Sequence, residues 1–263
     1  MDLGLKGRVA LVAAASKGLG RAIAHELAAE GASVAMCARG KEALESARAE
    51  IADSTGADVI AVAGDVSRPG DVDRIVRETI ERLGRIDILV TNAGGPPSGK
   101  FESLTPEMWQ QAVDLTLMSV INLAGAVVPG MKERKWGRVI NVTSIAVKQP
   151  VDGLMLSNSL RSAVTGFART LANEVAPLGI TVNNILPGYT RTERVEQLSD
   201  AAAKREGITR EAAVGKWEAE IPMRRLGEPR EFAALAAFLA SERASYITGT
   251  SISVDGGWIK GLL

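Results

Sequence analysis

"RVALVAAASKGLGRAIAHELAAEG", residues Arg8–Gly31, holds the change of period that decides the fold. It opens on "RVALVAA", a short apolar run of the kind that builds a buried strand. It closes on "GRAIAHELAAEG", whose apolar residues recur at helical spacing from about Leu19 to Glu30. Between the two, Gly18 and Gly20 stand at the helix entry. Glycine at such a turn lets backbone N–H groups approach a pyrophosphate, and the positive end of the helix dipole favours the negative charge. A GxG alone says little; between the first strand and first helix of an alternating chain it says much more.

The same alternation runs outward along the chain. "ASVAMCA" precedes a helix from about Lys41 to Asp53, "DVIAVAG" one that ends near Leu83, and "IDILVTNAG" a long one from about Pro106 to Arg134. "GRVINVTS" leads to a helix over Ser157–Ala176 and "ITVNNIL" to a charged stretch, after which "PREFAALAAFLAS" and "SISVDGG" close the series. Short Val- and Ile-rich runs bounded by Gly, Asp or Ser read as buried parallel strands. Seven of them with right-handed helical crossovers predict an α/β fold, a single Rossmann-type doubly wound parallel sheet with helices on both faces. No linker or repeat interrupts the series, so residues 1–263 read as one domain. The exception is the charged stretch from about Thr190 to Pro229, which carries weak helical periodicity. At the carboxyl edge of such a sheet it is either a substrate lid or a solvated surface excursion.

Hydrophobic residues make up 46% of the 263 and charged residues 24%, the balance of a globule with a sizeable core. The formal net charge is zero, which gives no electrostatic footprint for nucleic acid or an anionic membrane. The apolar runs read as too short for a membrane span, and "MDLGLKGRVALV" lacks the order of a signal peptide, so the expected location is the cytoplasm. The single cysteine, Cys37, excludes an internal disulfide and supports no metal cluster. His25 is the only histidine, which leaves little material for Ser-His-Asp chemistry.

Two further loops agree with the glycine turn. "GDV" at Gly64–Val66 ends the third strand, where a carboxylate can accept from an adenine amine, and "NAGG" at Asn92–Gly95 ends the fourth, where small residues leave room for a flat ring and a ribose. With "VNNILPG" at Val182–Gly188, "RLGEP" at Arg225–Pro229 and "ITG…VDGG" near the end, the chain resembles the short-chain dehydrogenase/reductase family over nearly its whole length, 3-oxoacyl-acyl-carrier-protein reductases especially. The resemblance implies a nicotinamide cofactor. Its contacts would come from Ser16, Lys17, Gly18, Leu19 and Gly20 in the first turn, Asp65 and Val66, and Asn92, Ala93 and Gly94. Pro187, Gly188, Thr190 and Thr192 complete the set after the sixth strand, Thr192 matching the threonine that holds the carboxamide. NAD users of the family usually end the second strand on an acid; here "CARGK" has Ala38 and Arg39. Arg39 can fork onto a 2′-phosphate and Lys17 lies within reach of it, which favours NADP(H) over a reading of two solvated basic residues. One departure is "AA" at Ala13–Ala14, where the family pattern begins Thr-Gly. A left-handed Ala14 would cost on the order of 1 kcal/mol, so a slightly altered turn is expected.

The family's chemistry uses a tyrosine that donates a proton to the carbonyl, a lysine four residues on, a serine that orients the carbonyl and an asparagine on the preceding helix. Mapped here, the serine is Ser144 in "NVTSIA", the tyrosine position holds Ser157, the lysine position Arg161 and the asparagine position Thr116. "SAVTGF" at Ser162–Phe167 supports that register. A serine hydroxyl is a far weaker acid than a phenol of pKa about 10 and is shorter. Arg161 can still bond ribose hydroxyls but stays protonated at neutral pH. Losing a positioned acid typically costs roughly 10²–10⁴ in rate. Lys148, Tyr189 and Asp152 are the remaining candidates for proton donor. The expectation is an NADP(H)-dependent reductase or dehydrogenase with an atypical active site, acting on a small carbonyl compound or an acyl thioester. The alternative is a cofactor-binding protein with little catalysis, a redox sensor or partner subunit. Arg191, Arg194, Arg224 and Arg225 could form a basic patch for an acyl carrier. Leu117, Val120, Leu123, Val127, Leu160 and Val164 suggest a second apolar face on the two long helices, which with the resemblance implies a homotetramer.

Overall fold

The computed structural model describes residues 2–262. The apolar runs form seven parallel strands, β1 (Val9–Ala13), β2 (Ser33–Ala38), β3 (Val59–Ala63), β4 (Ile88–Thr91), β5 (Gly137–Val142), β6 (Ile180–Pro187) and β7 (Ser251–Val254). They lie in the order β3-β2-β1-β4-β5-β6-β7. Every residue of β1, β4 and β5 is buried, as strands covered on both faces must be. One face is covered by α1 (Gly18–Ala29), α2 (Lys41–Thr55) and α9 (Pro229–Ala240), whose Ile23, Leu27, Leu44, Ile51 and Phe232 share a core with Val12, Met36 and Ile140. The other is covered by α3 (Pro69–Leu83), α5 (Ser119–Arg134) and α6 (Met155–Val175), which pack Ile75, Leu123, Val127 and Ala168 onto Leu11, Leu89 and Val139. The winding reverses between the adjacent strands β1 and β4, which opens a crevice at their carboxyl ends.

The long helix expected over Pro106–Arg134 is continuous but not uniform. After α4 (Pro106–Ala112) it widens to a π-helix over Val113–Met118 before resuming as α5. Apolar spacing alone does not separate π from α turns, and such bulges gather at functional sites. Thr116 lies in the widened turn, 4% exposed, and its buried Oγ1 has no hydrogen-bond partner among the described residues. The element contains a stretch apolar enough by length and composition to cross a membrane, with a mean hydropathy of 1.6 over 18 residues, and Leu115–Met131 carries no charge, contrary to the expectation of short runs. In the fold it is a core helix, with Leu123, Ala124, Val127, Val128 and Met131 against the sheet.

The second apolar face is also corrected. Val120, Leu123, Val127, Leu160 and Val164 are all buried within the chain itself, and only Leu117 is half-exposed. The outward positions are held by small residues instead, among them Gly125, Ala163 and Gly166.

Between β6 and α9 the charged stretch folds as two helices, α7 (Glu193–Glu206) and α8 (Arg210–Glu220), where only weak periodicity was expected. Each begins on a threonine cap: Thr192 Oγ1 accepts from the Val195 N–H and Thr209 Oγ1 from the Ala212 N–H. The helices close on each other through Ala202, Ala203 and Ala213. Aromatic contacts root them on the sheet, for Tyr189, just after β6, stacks on Trp217 of α8 at 4.5 Å and meets Trp258 edge-on at 6.1 Å.

A row of polar side chains locks the register of the carboxyl half of the sheet. The Thr91 hydroxyl donates to Asn141 Oδ1 (2.7 Å), Asn141 Nδ2 donates to Asn184 Oδ1 (3.0 Å), and Asn184 Nδ2 donates to Ser251 Oγ (3.0 Å). These residues are paired across β4, β5, β6 and β7. Satisfying them one against the next is what makes their burial tolerable.

Candidate active site

The glycine turn at the end of β1 is tightly built. Ala14 adopts φ +50° and Gly18 φ +57°, so the left-handed conformation survives without the usual glycine and the expected alteration of the turn does not occur. A Cβ on Gly20 would meet the Ala14 carbonyl oxygen at 2.3 Å and Asn92 Nδ2 at 2.9 Å, so only glycine fits. The Ala15 N–H ties the turn to the Cys37 carbonyl at 3.0 Å. Burial pushes the Cys37 thiol up to about 12, which leaves it a structural residue. Ser16 and Leu19 are half-buried in the same turn. These are the features a dinucleotide pyrophosphate requires: a close backbone approach, the α1 N-terminus and no side chain in the way.

Arg39 is exposed beyond β2 and has no acidic partner among the described residues, which leaves it able to meet a 2′-phosphate. Lys17, also exposed, is turned instead to an ion pair with Glu193 of α7. That bond ties the turn to the helical pair, on one side of a groove of about 530 Å³ lined by Gly18, Arg21, His25, Thr192 and Arg230. None of Ser144, Ser157 or Arg161 lines this groove. Asp65 Oδ1 accepts from both the Ser67 N–H (3.0 Å) and hydroxyl (2.8 Å), which orients its carboxylate, and Val66 beside it is buried. Asn92 and Ala93 are half-buried at the end of β4 and Gly94 is exposed. Pro187 ends β6, and the Gly188 N–H donates to the Val254 carbonyl at 3.0 Å. Thr190 is buried, and Thr192 brings its methyl within 3.6 Å of the Cβ position of Gly18.

Ser144 follows β5 directly. Its Oγ accepts from the Ala146 N–H at 3.1 Å, which leaves its own proton free to donate. Arg161, on the second turn of α6, donates from Nη1 to the Val142 carbonyl at 2.9 Å, two residues before Ser144. Burial first, and then the like charge of Arg194, push the Arg161 guanidinium down to about 10, which still leaves it charged at neutral pH. Ser157 is 8% exposed one turn earlier on α6. Asn158, which the sequence reading passed over, braces the loop before α6: its Nδ2 donates to the Val151 carbonyl at 3.0 Å.

Of the other proton-donor candidates, Tyr189 is the one the structure argues against. Tyr189 is held by its two tryptophan contacts, and burial, with Glu220 nearby, pushes its phenol up to about 12. Lys148 and Asp152 are exposed on the loop. The basic patch does not form either. Arg191 pairs with Glu218 and Glu228, Arg225 pairs with Glu231, and Arg224 donates to the Ala219 carbonyl. Arg194 turns inward.

Residues 13–259 match the family model described as enoyl-(acyl carrier protein) reductase. The chain belongs to the short-chain dehydrogenase/reductase family. Among its relatives, the 3-oxoacyl-[acyl-carrier-protein] reductase FabG of Vibrio cholerae is 36% identical over 255 residues, 97% of this chain and 98% of FabG. The NADPH-dependent reductase BacG of Bacillus subtilis is 34% identical over 256 residues, 97% of this chain and 99% of BacG. The solved structure of L-sorbose reductase from Gluconobacter frateurii, complexed with NADPH and L-sorbose, superposes with a TM-score of 0.95 at 35% identity, covering 100% of both chains.

Proposed function

We propose that this protein is an NADP(H)-dependent oxidoreductase acting on a carbonyl or the corresponding hydroxyl, with 3-oxoacyl thioesters among its candidate substrates. The cofactor is NADP(H). The observation that carries the reading is convergence: the glycine turn, Asn92–Gly94 and Ser144 end the neighbouring strands β1, β4 and β5 at the point where the winding reverses. The cofactor, when bound, supplies or accepts the hydride. Gly18, Gly20 and the α1 N-terminus would hold its pyrophosphate, Arg39 the 2′-phosphate, and Arg161 the nicotinamide ribose. Ser144 donates a hydrogen bond to the carbonyl oxygen, and the Arg161 charge stabilises the alkoxide as it forms. With no phenol in place, the oxygen takes its proton from water. Ser157 is a vacancy rather than a replacement acid. We read helices α7 and α8 as a substrate lid on a single domain, and the family resemblance alone supports a cytoplasmic homotetramer.

An NADPH-consumption screen over carbonyl compounds, 3-oxoacyl thioesters included, tests this. Turnover is expected, with Ser157→Ala keeping most of it and Ser144→Ala losing on the order of 10²-fold, the scale of one lost oxyanion donor. A folded Ser157→Ala protein that binds NADPH but is dead would make Ser157 the acid. Tight NADPH binding with no carbonyl reduced would favour the second reading, a cofactor-binding protein, which the replaced tyrosine and the unpartnered Thr116 hydroxyl support.

A further inference from the structure

Two guanidinium groups are anchored past the carboxyl ends of the neighbouring strands β4 and β5, and among the described residues neither has an acidic partner. Arg161 spends one donor on the Val142 carbonyl at 2.9 Å. Arg194, in the first turn of α7, spends one on the Pro96 carbonyl at 3.0 Å. Its guanidinium lies against Gly95, where a Cβ would fall within 2.8–2.9 Å of Nη2, Cζ and Nε. Gly95 is therefore what lets this arginine lie down over the end of β4. Both side chains are half-buried, and Arg194 is the like charge that acts on Arg161.

Arginines elsewhere on the helical pair and at the start of β5 do have acidic partners. On the same helical pair Arg210 meets Glu196 and Asp200, and the nearest acid in sequence to Arg194, Glu193, is taken by Lys17. Arg138, buried at the opposite edge of the sheet, has Glu242 at 3.9 Å and stacks over Trp136 at 4.4 Å. A charge drawn partly out of water without a counter-charge is unfavourable. Two like charges at neighbouring strand ends, with guanidinium donors that the protein itself does not use, suit an oxyanion.

Two oxyanions could come here: a carboxylate of the substrate or the pyrophosphate of the cofactor. The pyrophosphate already has the glycine turn and the α1 N-terminus at β1, whereas Arg194 lies over Gly95 past β4 and Arg161 at the end of β5, beside Ser144. We infer that the substrate carries a carboxylate close to its reacting carbonyl, and that Arg194 clamps it with Arg161 alongside. The inference rests on the reductase reading of this site.

Calorimetric titration of phenylpyruvate, 2-oxobutanoate and their methyl esters into the protein loaded with NADP⁺ tests it without turnover. The acids are expected to bind about tenfold or more tighter than their esters, the scale of a charge-assisted bidentate contact. Arg194→Gln should erase that difference, leaving ester binding and NADPH affinity within about twofold, and Arg194→Lys should restore part of it. Equal binding of acids and esters by the unmodified protein would overturn the inference, as would a preference that survives Arg194→Gln. A variant that weakens NADPH about tenfold and keeps the preference would assign the guanidinium to the pyrophosphate instead. Acid binding without NADPH consumption would leave the anion site standing and sink the reductase reading; turnover of neutral ketones with no acid preference would do the reverse.

Discussion

Ala14 holds φ +50°, a conformation that an L side chain adopts at a cost, and it does so where its carbonyl packs against Gly20. Replacing it by glycine removes that cost, about 1–2 kcal/mol. The same change frees the unfolded chain, which returns about 0.4–1 kcal/mol in the opposite direction. The difference is a net stabilisation on the order of 0.5–1 kcal/mol. For a chain of this size that is a rise of roughly 1–4 °C in Tm. Thermal unfolding followed by far-UV circular dichroism reads it directly, at one fixed protein concentration so that any assembly equilibrium is held constant. Ala14→Val supplies the opposite arm, since a branched Cβ at positive φ is a steric outlier, and its Tm should fall. NADPH affinity should be unchanged or improved in Ala14→Gly, because the turn already has the geometry glycine prefers. A lower Tm for Ala14→Gly would refute the reasoning and would mean that the alanine methyl contributes packing larger than the strain.

Arg39→Ala should reduce or abolish the preference for NADPH over NADH in a nicotinamide-fluorescence titration, because no acid ends β2 and Lys17 is committed to Glu193. Equal affinity for both cofactors in the unmodified protein would remove Arg39 from the 2′-phosphate. Sedimentation at micromolar concentration should give the mass of four chains. A one-chain mass would rule the homotetramer out.

Much of this fold is legible in the sequence because a buried parallel strand and an amphipathic helix have different periods, and the chain changes period at every loop. The cofactor end is legible for a related reason. A turn that must admit a pyrophosphate tolerates only glycine at Gly20, and the neighbouring segments sit at strand ends that alternation alone locates. What escaped is what depends on partners distant in sequence. The inward turn of Arg194 needs Gly95, about a hundred positions earlier, and nothing local marks either. The apolar residues of α5 and α6 look like a second face until α3, α4 and the sheet are placed around them. The asparagines of β5 and β6 were visible as polar residues in apolar runs, a signal that could have raised the question of cross-strand pairing. The caps Thr192 and Thr209 could likewise have marked the starts of α7 and α8.

The contact of Tyr189 with Trp217 has a further use. Tyr189 belongs to the end of the sheet and Trp217 to α8, with their rings 4.5 Å apart and 13° from parallel. Any hinge motion of the helical pair must part those rings, so Trp217 emission becomes an intrinsic optical gauge of how far α8 stands from β6. The chain has only four tryptophans, and Trp109 and Trp136 lie on other elements, so replacing those two by phenylalanine leaves emission from this aromatic cluster alone. Stopped-flow mixing with NADPH and then with a carbonyl compound would record, without an attached dye, the order in which the site fills and the helices settle.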